Sequence, residues 1–359
     1  MITVTKPFFP PIEDYQQYIA KIWENQWLTN RGELVVELES KLKSYLGVNN
    51  VIAMTNGTLP LHIALSALTE GGEVITTPFS YVATTSSIVW ENCTPVFVDI
   101  HPEYLTIDES KIEAAITPKT TAILATHVYG NPCDVEAIAK IAEKYKLKVI
   151  YDAAHCFGVT YKGTSIFNYG DVSTCSFHAT KLFHTGEGGA LFCKDEALDK
   201  QMFFRHNFGH DGPLQFQGIG TNAKMSELQA AMGLSVLPYV KDIIEARKEI
   251  CKAYDALLKV NTIKKLKIRA HTDWNYSYYP IIFSSEEQLL EVQKVLENNG
   301  IVPRRYFYPS LTTLSYVKNT NDVSVSDDIS PRVLCLPLYY GLESVDVNKI
   351  TELILSVVQ

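Results

Sequence analysis

The residue best placed for covalent chemistry is Lys181, which stands between two short apolar runs in the stretch GDVSTCSFHATKLFHTGEGGA of residues 170–190. The β-branched run 172–177 before it and the run 190–193 after it are typical of strands. The glycine-rich turn 186–189 lets backbone segments approach closely, so a lysine beside it can present its amine in a pocket. Because an ordinary surface lysine can have the same neighbours, Lys181 alone is not decisive.

A second reactive candidate, Asp152, lies 29 residues upstream at the end of the apolar run 147–151. Ligands bind beside the carboxyl ends of parallel strands in α/β folds, so this acid is expected at such an edge. Pyridoxal phosphate chemistry requires a lysine amine that forms a Schiff base and a carboxylate that keeps the pyridine nitrogen protonated. The pair therefore predicts pyridoxal phosphate as the cofactor, provided that further motifs agree.

Short apolar runs alternate with amphipathic stretches in the first half of the chain. The runs 51–54, 73–78, 96–99 and 121–125 read as strands, and the stretches 61–68 and 134–145 have helical spacing. This alternation predicts an α/β fold with a mostly parallel sheet covered by helices on both faces. The turn Asn56-Gly57-Thr58 precedes a helix and could bind an anion or be plain turn chemistry. No GxGxxG follows the first strand, so a dinucleotide fingerprint is absent.

A joint at Pro238 divides the pattern into two predicted domains. Residues 1–238 form the large domain with an N-terminal segment, and residues 239–359 form a smaller C-terminal α+β domain. The long amphipathic run 239–258 connects them. The smaller domain contains a strand at 276–283, helices at 286–298 and 345–358, and an aromatic and basic stretch at 303–309.

Composition excludes several classes of protein. The chain has 359 residues, 46% of them hydrophobic, which is enough for a large core. It has no apolar run long enough to span a membrane and its start lacks a secretory pattern, so we expect a cytoplasmic protein without a membrane partner. A net charge of −8 without a dense basic run argues against nucleic acid. Seven scattered cysteines without a CxxC pair indicate reduced packing thiols and no metal site.

Eight motifs, in chain order, carry a family resemblance: WLTNRG, NGTLPLHIAL, TPFSYVAT, DAAHCFG, GDVSTCSFHATK, TGEGGA, TNAKMSELQAA and RRYFYP. They resemble the sugar aminotransferases of the DegT/DnrJ/EryC1/StrS family, and the resemblance covers nearly the whole chain. It implies the fold of the aspartate aminotransferase type, which is fold type I of pyridoxal phosphate enzymes.

The same resemblance implies a role for each matching residue. Lys181 would bond the cofactor as a Schiff base and carry a proton to the sugar carbon. Asp152 would bond the pyridine nitrogen, His155 would lie near the phenolic oxygen and Tyr81 would stack on the ring. The residues implied at the phosphate are Gly57, Thr58 and Ser176, joined by Asn222 from the neighbouring subunit. The resemblance thus implies a homodimer with shared active sites.

The substrate is also implied by resemblance. The SFH and TGEGG forms, the opening VTKPFFPP and the WLTNRG segment look most like enzymes that aminate C4 of a nucleotide-linked 4-keto-6-deoxyhexose. The expected substrates are dTDP-4-dehydro-6-deoxy-D-glucose and the donor L-glutamate, for bacterial surface polysaccharides such as the lipopolysaccharide O-antigen. Candidates for the diphosphate are Arg31, Arg304 and Arg305, and candidates for the sugar are Tyr306 and Tyr308. Each could equally be a surface or packing residue.

Three alternatives remain. A C3-aminotransferase on a 3-keto isomer differs only in how the sugar lies in the pocket. A dehydratase of the same fold has a histidine in place of the lysine, so Lys181 argues against it. A non-catalytic binding or regulatory protein would lack the lysine or the acid, and both are present. His178 and His184 are candidates for secondary roles, with packing an equal alternative for His184.

Overall fold

The computed structural model describes residues 1–318 and 321–358. Its strands in chain order are β1 (Ile2–Thr3), β2 (Ile52–Met54), β3 (Gly72–Thr76), β4 (Cys93–Phe97), β5 (Thr120–Thr126), β6 (Lys148–Asp152), β7 (Thr160–Tyr161), β8 (Thr164–Ser165), β9 (Val172–Ser176), β10 (Gly189–Cys193), β11 (Lys264–Lys265), β12 (Thr272–Asp273), β13 (Tyr279–Ile282), β14 (Ile301–Val302) and β15 (Val333–Leu336). Its α-helices are α1 (Ile12–Asn25), α2 (Glu33–Leu46), α3 (Leu59–Leu68), α4 (Val82–Trp90), α5 (Glu109–Ile112), α6 (Val135–Tyr145), α7 (Glu196–His206), α8 (Glu227–Val236), α9 (Val240–Leu257), α10 (Glu286–Asn298), α11 (Ser324–Ile329) and α12 (Ser344–Val358).

The largest sheet has the strand order β2-β10-β9-β6-β5-β3-β4. Strands β4, β3, β5, β6 and β9 run parallel to one another, whereas β10 runs antiparallel to both β9 and β2. The predicted α/β fold with a mostly parallel sheet is therefore confirmed. The register pairs Thr126 with Asp152 and Asp152 with Thr174, so these residues meet at the carboxyl edge of the sheet.

Both faces of this sheet are buried. Ile123 and Val149 belong to one hydrophobic cluster, which includes Leu38 of α2. The next residues along the same strands, Leu124 and Ile150, belong to a second cluster with α3. Because side chains alternate across a strand, a run that is apolar at every position serves two layers of helices at once.

Side-chain caps define where several helices begin. Asp134 accepts a hydrogen bond from the backbone N–H of Ala137 at the start of α6, at 2.9 Å. Ser226 and Gln229 form a reciprocal capping box at the start of α8. Each cap satisfies a backbone donor that the first helical turn leaves unpaired.

The C-terminal part has its own core. Strands β11, β13 and β15 form an antiparallel sheet, and a separate hydrophobic cluster extends from Ile250 to Val358. The first strand joins this part, because Ile2 pairs in parallel with Ile301. The division at residues 238/239 stays a prediction. Within the described residues, no helix has the length and apolar character needed to cross a bilayer.

The expected strand 276–283 is shorter in the structure, where β13 begins at Tyr279. The residues just before it do not pair with a neighbouring strand in the described part of the chain. Their side chains contact the loop that follows Asp152 instead. The amide of Asn275 donates to the carbonyls of His155 and Phe157, at 2.8 and 2.9 Å, and Tyr276 has a φ of 53°. A positive φ is incompatible with extended strand backbone.

Adjacent leucines on α10 test how this helix packs. Leu289 is fully buried, whereas Leu290 is 47% exposed. We expect Leu289→Ala to lower the free energy of unfolding by about 2–5 kcal/mol, because it leaves a cavity in the C-terminal core. Leu290→Ala, the control, should cost less than about 1 kcal/mol. Urea denaturation followed by tryptophan fluorescence measures both, and equal losses would contradict this packing.

Candidate active site

A cleft of about 380 Å³ lies at the carboxyl edge of the parallel strands. Asp152 ends β6, Ser176 ends β9, and the turn after β2 leads into α3 beside them. Of the residues for which the sequence predicts a role, the cleft is lined by Gly57, Thr58, Tyr81, Asp152, His155, Ser176, Lys181, Arg304 and Tyr306. The topology thus brings together most of the predicted site.

Asp152 lies buried at the base of the cleft. Its carboxylate accepts a 2.6 Å hydrogen bond from the hydroxyl of Thr84 and a 3.2 Å bond from the backbone N–H of Ala154. Ser80 contacts the oxygen of Thr84 at 2.7 Å and thereby fixes the direction of that hydroxyl. Burial raises the pKa of Asp152, and these two donors and the charge of Lys181 oppose the rise.

Lys181 is partly buried on the wall of the same cleft. Its Nζ donates to the hydroxyl of Tyr278 at 3.4 Å. Burial lowers the pKa of the amine, and the charge of Arg304 acts in the same direction, whereas Tyr306 and Asp152 oppose the shift. A lowered pKa increases the fraction of neutral amine, which is the nucleophilic form.

The segment that carries Tyr278 is fixed by buried contacts. Arg247 of α9 donates to the carbonyls of Tyr276 and Ser277, at 3.2 and 2.9 Å. The hydroxyl of Ser277 donates in turn to the carbonyl of His155. Tyr278, the hydrogen-bond partner of Lys181, is therefore held against the loop that follows Asp152.

His155 is a neutral ring between aromatic neighbours. Burial lowers its pKa well below the ordinary value. Its Nδ1 accepts a hydrogen bond from the backbone N–H of Tyr129 at 3.2 Å, and its ring lies parallel to that of Phe307 at 5.8 Å. With Nδ1 engaged as the acceptor, the proton of the neutral ring is on Nε2, which can donate to a ligand.

The turn into α3, which also lines the cleft, suits a phosphate. The side-chain oxygen of Asn56 accepts from the N–H groups of Thr58 and Leu59, both at 2.9 Å, and fixes the turn into α3. A Cβ on Gly57 would lie 2.7 Å from that of Ser176, so only glycine allows this approach. Thr58, the N-cap of α3, and Ser176 both line the cleft at this helix N-terminus, which favours an anion.

These donor groups match pyridoxal phosphate in chemistry. An anion site at the start of α3, a buried carboxylate in Asp152 and an amine in Lys181 share one cleft. No group of three or more His, Cys, Asp or Glu side chains in the described ranges could hold a metal ion. The side chains present therefore fit this organic cofactor.

Four predicted binding residues do not line this cleft. Arg305 donates to Glu286 at 2.6 Å and to the carbonyl of Pro331 at 2.8 Å, and its guanidinium carbon lies 3.4 Å from the ring centre of Tyr308. These contacts direct the guanidinium of Arg305 to the far side of the loop, away from the cleft. Its neighbours in sequence, Arg304 and Tyr306, line the cleft instead.

The other two lie on more distant elements. Arg31 pairs with the buried Glu39 at 2.8 Å and lines a separate pocket beside α1 and α2. Asn222 is exposed and accepts a 2.6 Å hydrogen bond from Lys224. Within a single chain, neither side chain belongs to the cleft that contains Lys181.

The structure also adds residues that the sequence did not single out. Thr84 is one of several hydroxyl residues in a row, and Tyr278 is one of three tyrosines at 276–279.

Of the two candidate histidines, His178 lines the cleft. His184 is buried and contacts the carbonyl of Phe8 at 2.7 Å, which is a packing role.

Comparison with known proteins decides the family. The family model described as the DegT/DnrJ/EryC1/StrS aminotransferase family matches residues 11–355. The chain belongs to this family. Its members depend on pyridoxal phosphate, so the predicted family, enzyme class and cofactor are confirmed. The chain is thus a sugar aminotransferase, with a sugar nucleotide and an amino donor as its substrates.

Two curated members of the family are similar over nearly their full length. A Shigella dysenteriae protein named dTDP-4-amino-4,6-dideoxy-D-glucose transaminase is 43% identical over 349 residues, covering 96% of this chain and 95% of the relative. An Escherichia coli protein of the same name is 41% identical over 365 residues, covering 99% and 98%. A crystal structure of DesI in the presence of its TDP-sugar product matches with a TM-score of 0.94 at 30% identity, covering 100% of this chain and 93% of that one. The predicted fold type is confirmed.

Two adjacent threonines of α4 test the support of the Asp152 carboxylate. Thr84→Val removes its hydroxyl donor, and we expect the affinity for pyridoxal phosphate to fall about tenfold, since hydrogen bonds to charged groups contribute about 1.5–3 kcal/mol. Thr85 is the control, because its buried hydroxyl has no hydrogen-bond partner among the described residues. Absorbance titration of the apoprotein measures both variants. Equal affinity of Thr84→Val and Thr85→Val would contradict the assignment.

Proposed function

We propose that this chain transfers an amino group from L-glutamate to C4 of dTDP-4-dehydro-6-deoxy-D-glucose. The observation that carries the proposal is the buried amine of Lys181 in one cleft with the carboxylate of Asp152. The sugar is supported by the names of the Shigella and E. coli relatives and by the TDP-sugar product of DesI. L-glutamate as donor follows the general reaction of the family.

Different residues of the cleft would bind different parts of the cofactor. Asp152 would bond the pyridine nitrogen, and Tyr81 at the start of α4 would stack on the ring. His155 would donate from Nε2 to the phenolic oxygen. The hydroxyls of Thr58 and Ser176 would hold the phosphate beside Gly57. When bound, pyridoxal phosphate supplies a conjugated ring that withdraws electrons from the carbon that exchanges its proton.

Lys181 is the proton carrier in both halves of the reaction. Once a substrate amine displaces it, Nζ is a free amine whose pKa is lowered by burial, so a larger fraction of it is neutral and able to act as a base. It removes a proton from the α carbon of the donor and later delivers one to C4 of the sugar. The hydroxyl of Tyr278, at 3.4 Å, orients Nζ between these positions.

The alternative C3-aminotransferase uses the same machinery. A sugar ring turned in the cleft presents C3 instead of C4 to the amine, and Lys181 and Asp152 would act unchanged. The names of the two relatives at 43% and 41% identity favour C4. Product analysis separates the two reactions.

A homodimer with shared active sites accounts for the residues outside the cleft. Asn222 lies at the end of the loop 207–222, which exposes large apolar side chains at Leu214, Phe216 and Ile219. Exposed apolar groups in one segment are typical of a surface that a partner covers. In the proposed dimer, Asn222 reaches the phosphate site of the neighbouring subunit.

Asn222→Ala tests this arrangement. We expect the variant to remain dimeric and to bind pyridoxal phosphate about five- to tenfold more weakly, since one hydrogen bond contributes about 1 kcal/mol while the groups beside Gly57 remain. Gln215→Ala, an exposed change in the same loop, is the control. Sedimentation measures the assembly and absorbance titration measures cofactor affinity. Unchanged cofactor affinity of the Asn222→Ala dimer would contradict this contact.

The proposed reaction is tested with the purified protein, pyridoxal phosphate, L-glutamate and dTDP-4-dehydro-6-deoxy-D-glucose. We expect an amino sugar whose nitrogen is on C4, identified by NMR. Lys181→Ala should form product at least about a hundredfold more slowly, because the proton carrier is lost. Lys194→Ala, which changes an exposed lysine just after β10, should retain activity.

Each other outcome has a definite meaning. An amine on C3 that appears only when a 3,4-ketoisomerase is added would identify the enzyme as the alternative C3-aminotransferase. An active Lys181→Ala variant would contradict the proposed mechanism. Absence of both product and cofactor absorbance would favour a binding protein.

A further inference from the structure

Arg304 and Arg305 are adjacent but lie on opposite sides of their segment. Arg304 forms a backbone bridge with Cys335 of β15, in which each N–H donates to the other's carbonyl, at 3.2 and 2.8 Å. Neighbouring side chains on extended backbone point to opposite faces. Arg305 therefore pairs with Glu286, whereas Arg304 faces the cleft.

The guanidinium of Arg304 is positioned by an aromatic ring. Its central carbon lies 4.2 Å from the ring centre of Tyr306. Among the described residues, no carboxylate forms an ion pair with Arg304, in contrast to Arg31 and Arg305. An arginine whose guanidinium lies over a ring and forms no ion pair is suited to bind a planar anion through two parallel hydrogen bonds.

Aromatic rings connect this guanidinium to the reactive amine. The ring of Tyr306 lies 5.4 Å from that of Tyr278, whose hydroxyl accepts the hydrogen bond from Lys181. The charge of Arg304 is also close enough to contribute to the lowered pKa of Lys181. Arg304 is consequently placed to bind an anionic group that lies close to the reacting atoms.

We propose that Arg304 binds a carboxylate of the amino-acid donor. This inference rests on the proposed aminotransferase function. The α carbon of an amino acid, which must approach Lys181, carries a carboxylate directly. The diphosphate of a nucleotide sugar is separated from C4 by the pyranose ring, so it lies farther from the reacting atoms. A site beside the lysine therefore matches the carboxylate better than the diphosphate.

The two halves of the reaction test the proposal separately. For Arg304→Gln we expect the dissociation constant of L-glutamate, from stopped-flow absorbance of the first half-reaction, to rise about 10- to 100-fold. Calorimetric binding of 2-oxoglutarate to the enzyme in its pyridoxamine phosphate form should weaken by a similar factor. Arg304→Lys keeps the charge but not the planar fork, and should lie between wild type and Arg304→Gln.

The controls separate donor binding from other roles. Binding of dTDP to the same variant should be unchanged, and Arg305→Gln should leave the glutamate dissociation constant within about twofold. Weaker dTDP binding with normal glutamate binding would assign Arg304 to the diphosphate and overturn the proposal. Unchanged binding of all three ligands would overturn it as well. Because the glutamate half-reaction needs no sugar, it can succeed even where the proposed sugar reaction fails.

Discussion

The active site depends on the burial of two groups of opposite charge, Asp152 and Lys181, in one cleft. Burial penalises the charged form of each, so it raises the pKa of the acid and lowers that of the amine. The carboxylate receives two donors, the hydroxyl of Thr84 and the N–H of Ala154. The amine has only a long contact to Tyr278, at 3.4 Å. Tyr306 and Asp152 oppose the lowering at the amine, yet its pKa stays below the ordinary value, which suits a group that reacts in its neutral form.

This burial requires two parts of the chain that each have a core of their own. The central sheet supplies the acid and the lysine, whereas Tyr278 comes from the segment before β13. The amide of Asn275 and the hydroxyl of Ser277 bind the carbonyl of His155 and fasten that segment to the loop after Asp152. The lysine is consequently enclosed only when the C-terminal part is in place, so folding and site formation are coupled.

Local sequence signals predicted the central sheet and the strand ends that bring Asp152 and Lys181 into one cleft. Asp152 and Lys181 follow short apolar runs, and Gly57 stands in a turn between a strand and a helix, so strand ends located them. The residues that contact the acid and the lysine, Thr84 and Tyr278, lack such signals. Thr84 is one hydroxyl residue among several in α4, and its neighbour Thr85 has no hydrogen-bond partner among the described residues. Helix rotation decides which threonine faces the acid, and that rotation is set by packing across the sheet.

The same limit applies to the arginines. Arg304 and Arg305 have identical chemistry, and sequence could not decide between them because the bridge to Cys335 fixes which one faces inwards. The consequence is functional as well as structural. The residues proposed to contact the cofactor lie at the carboxyl edge of the central sheet, whereas Arg304 and Tyr306 come from a loop of the C-terminal part. Changes in that loop could alter which donor or sugar is bound while the acid, the lysine and the phosphate site stay in place.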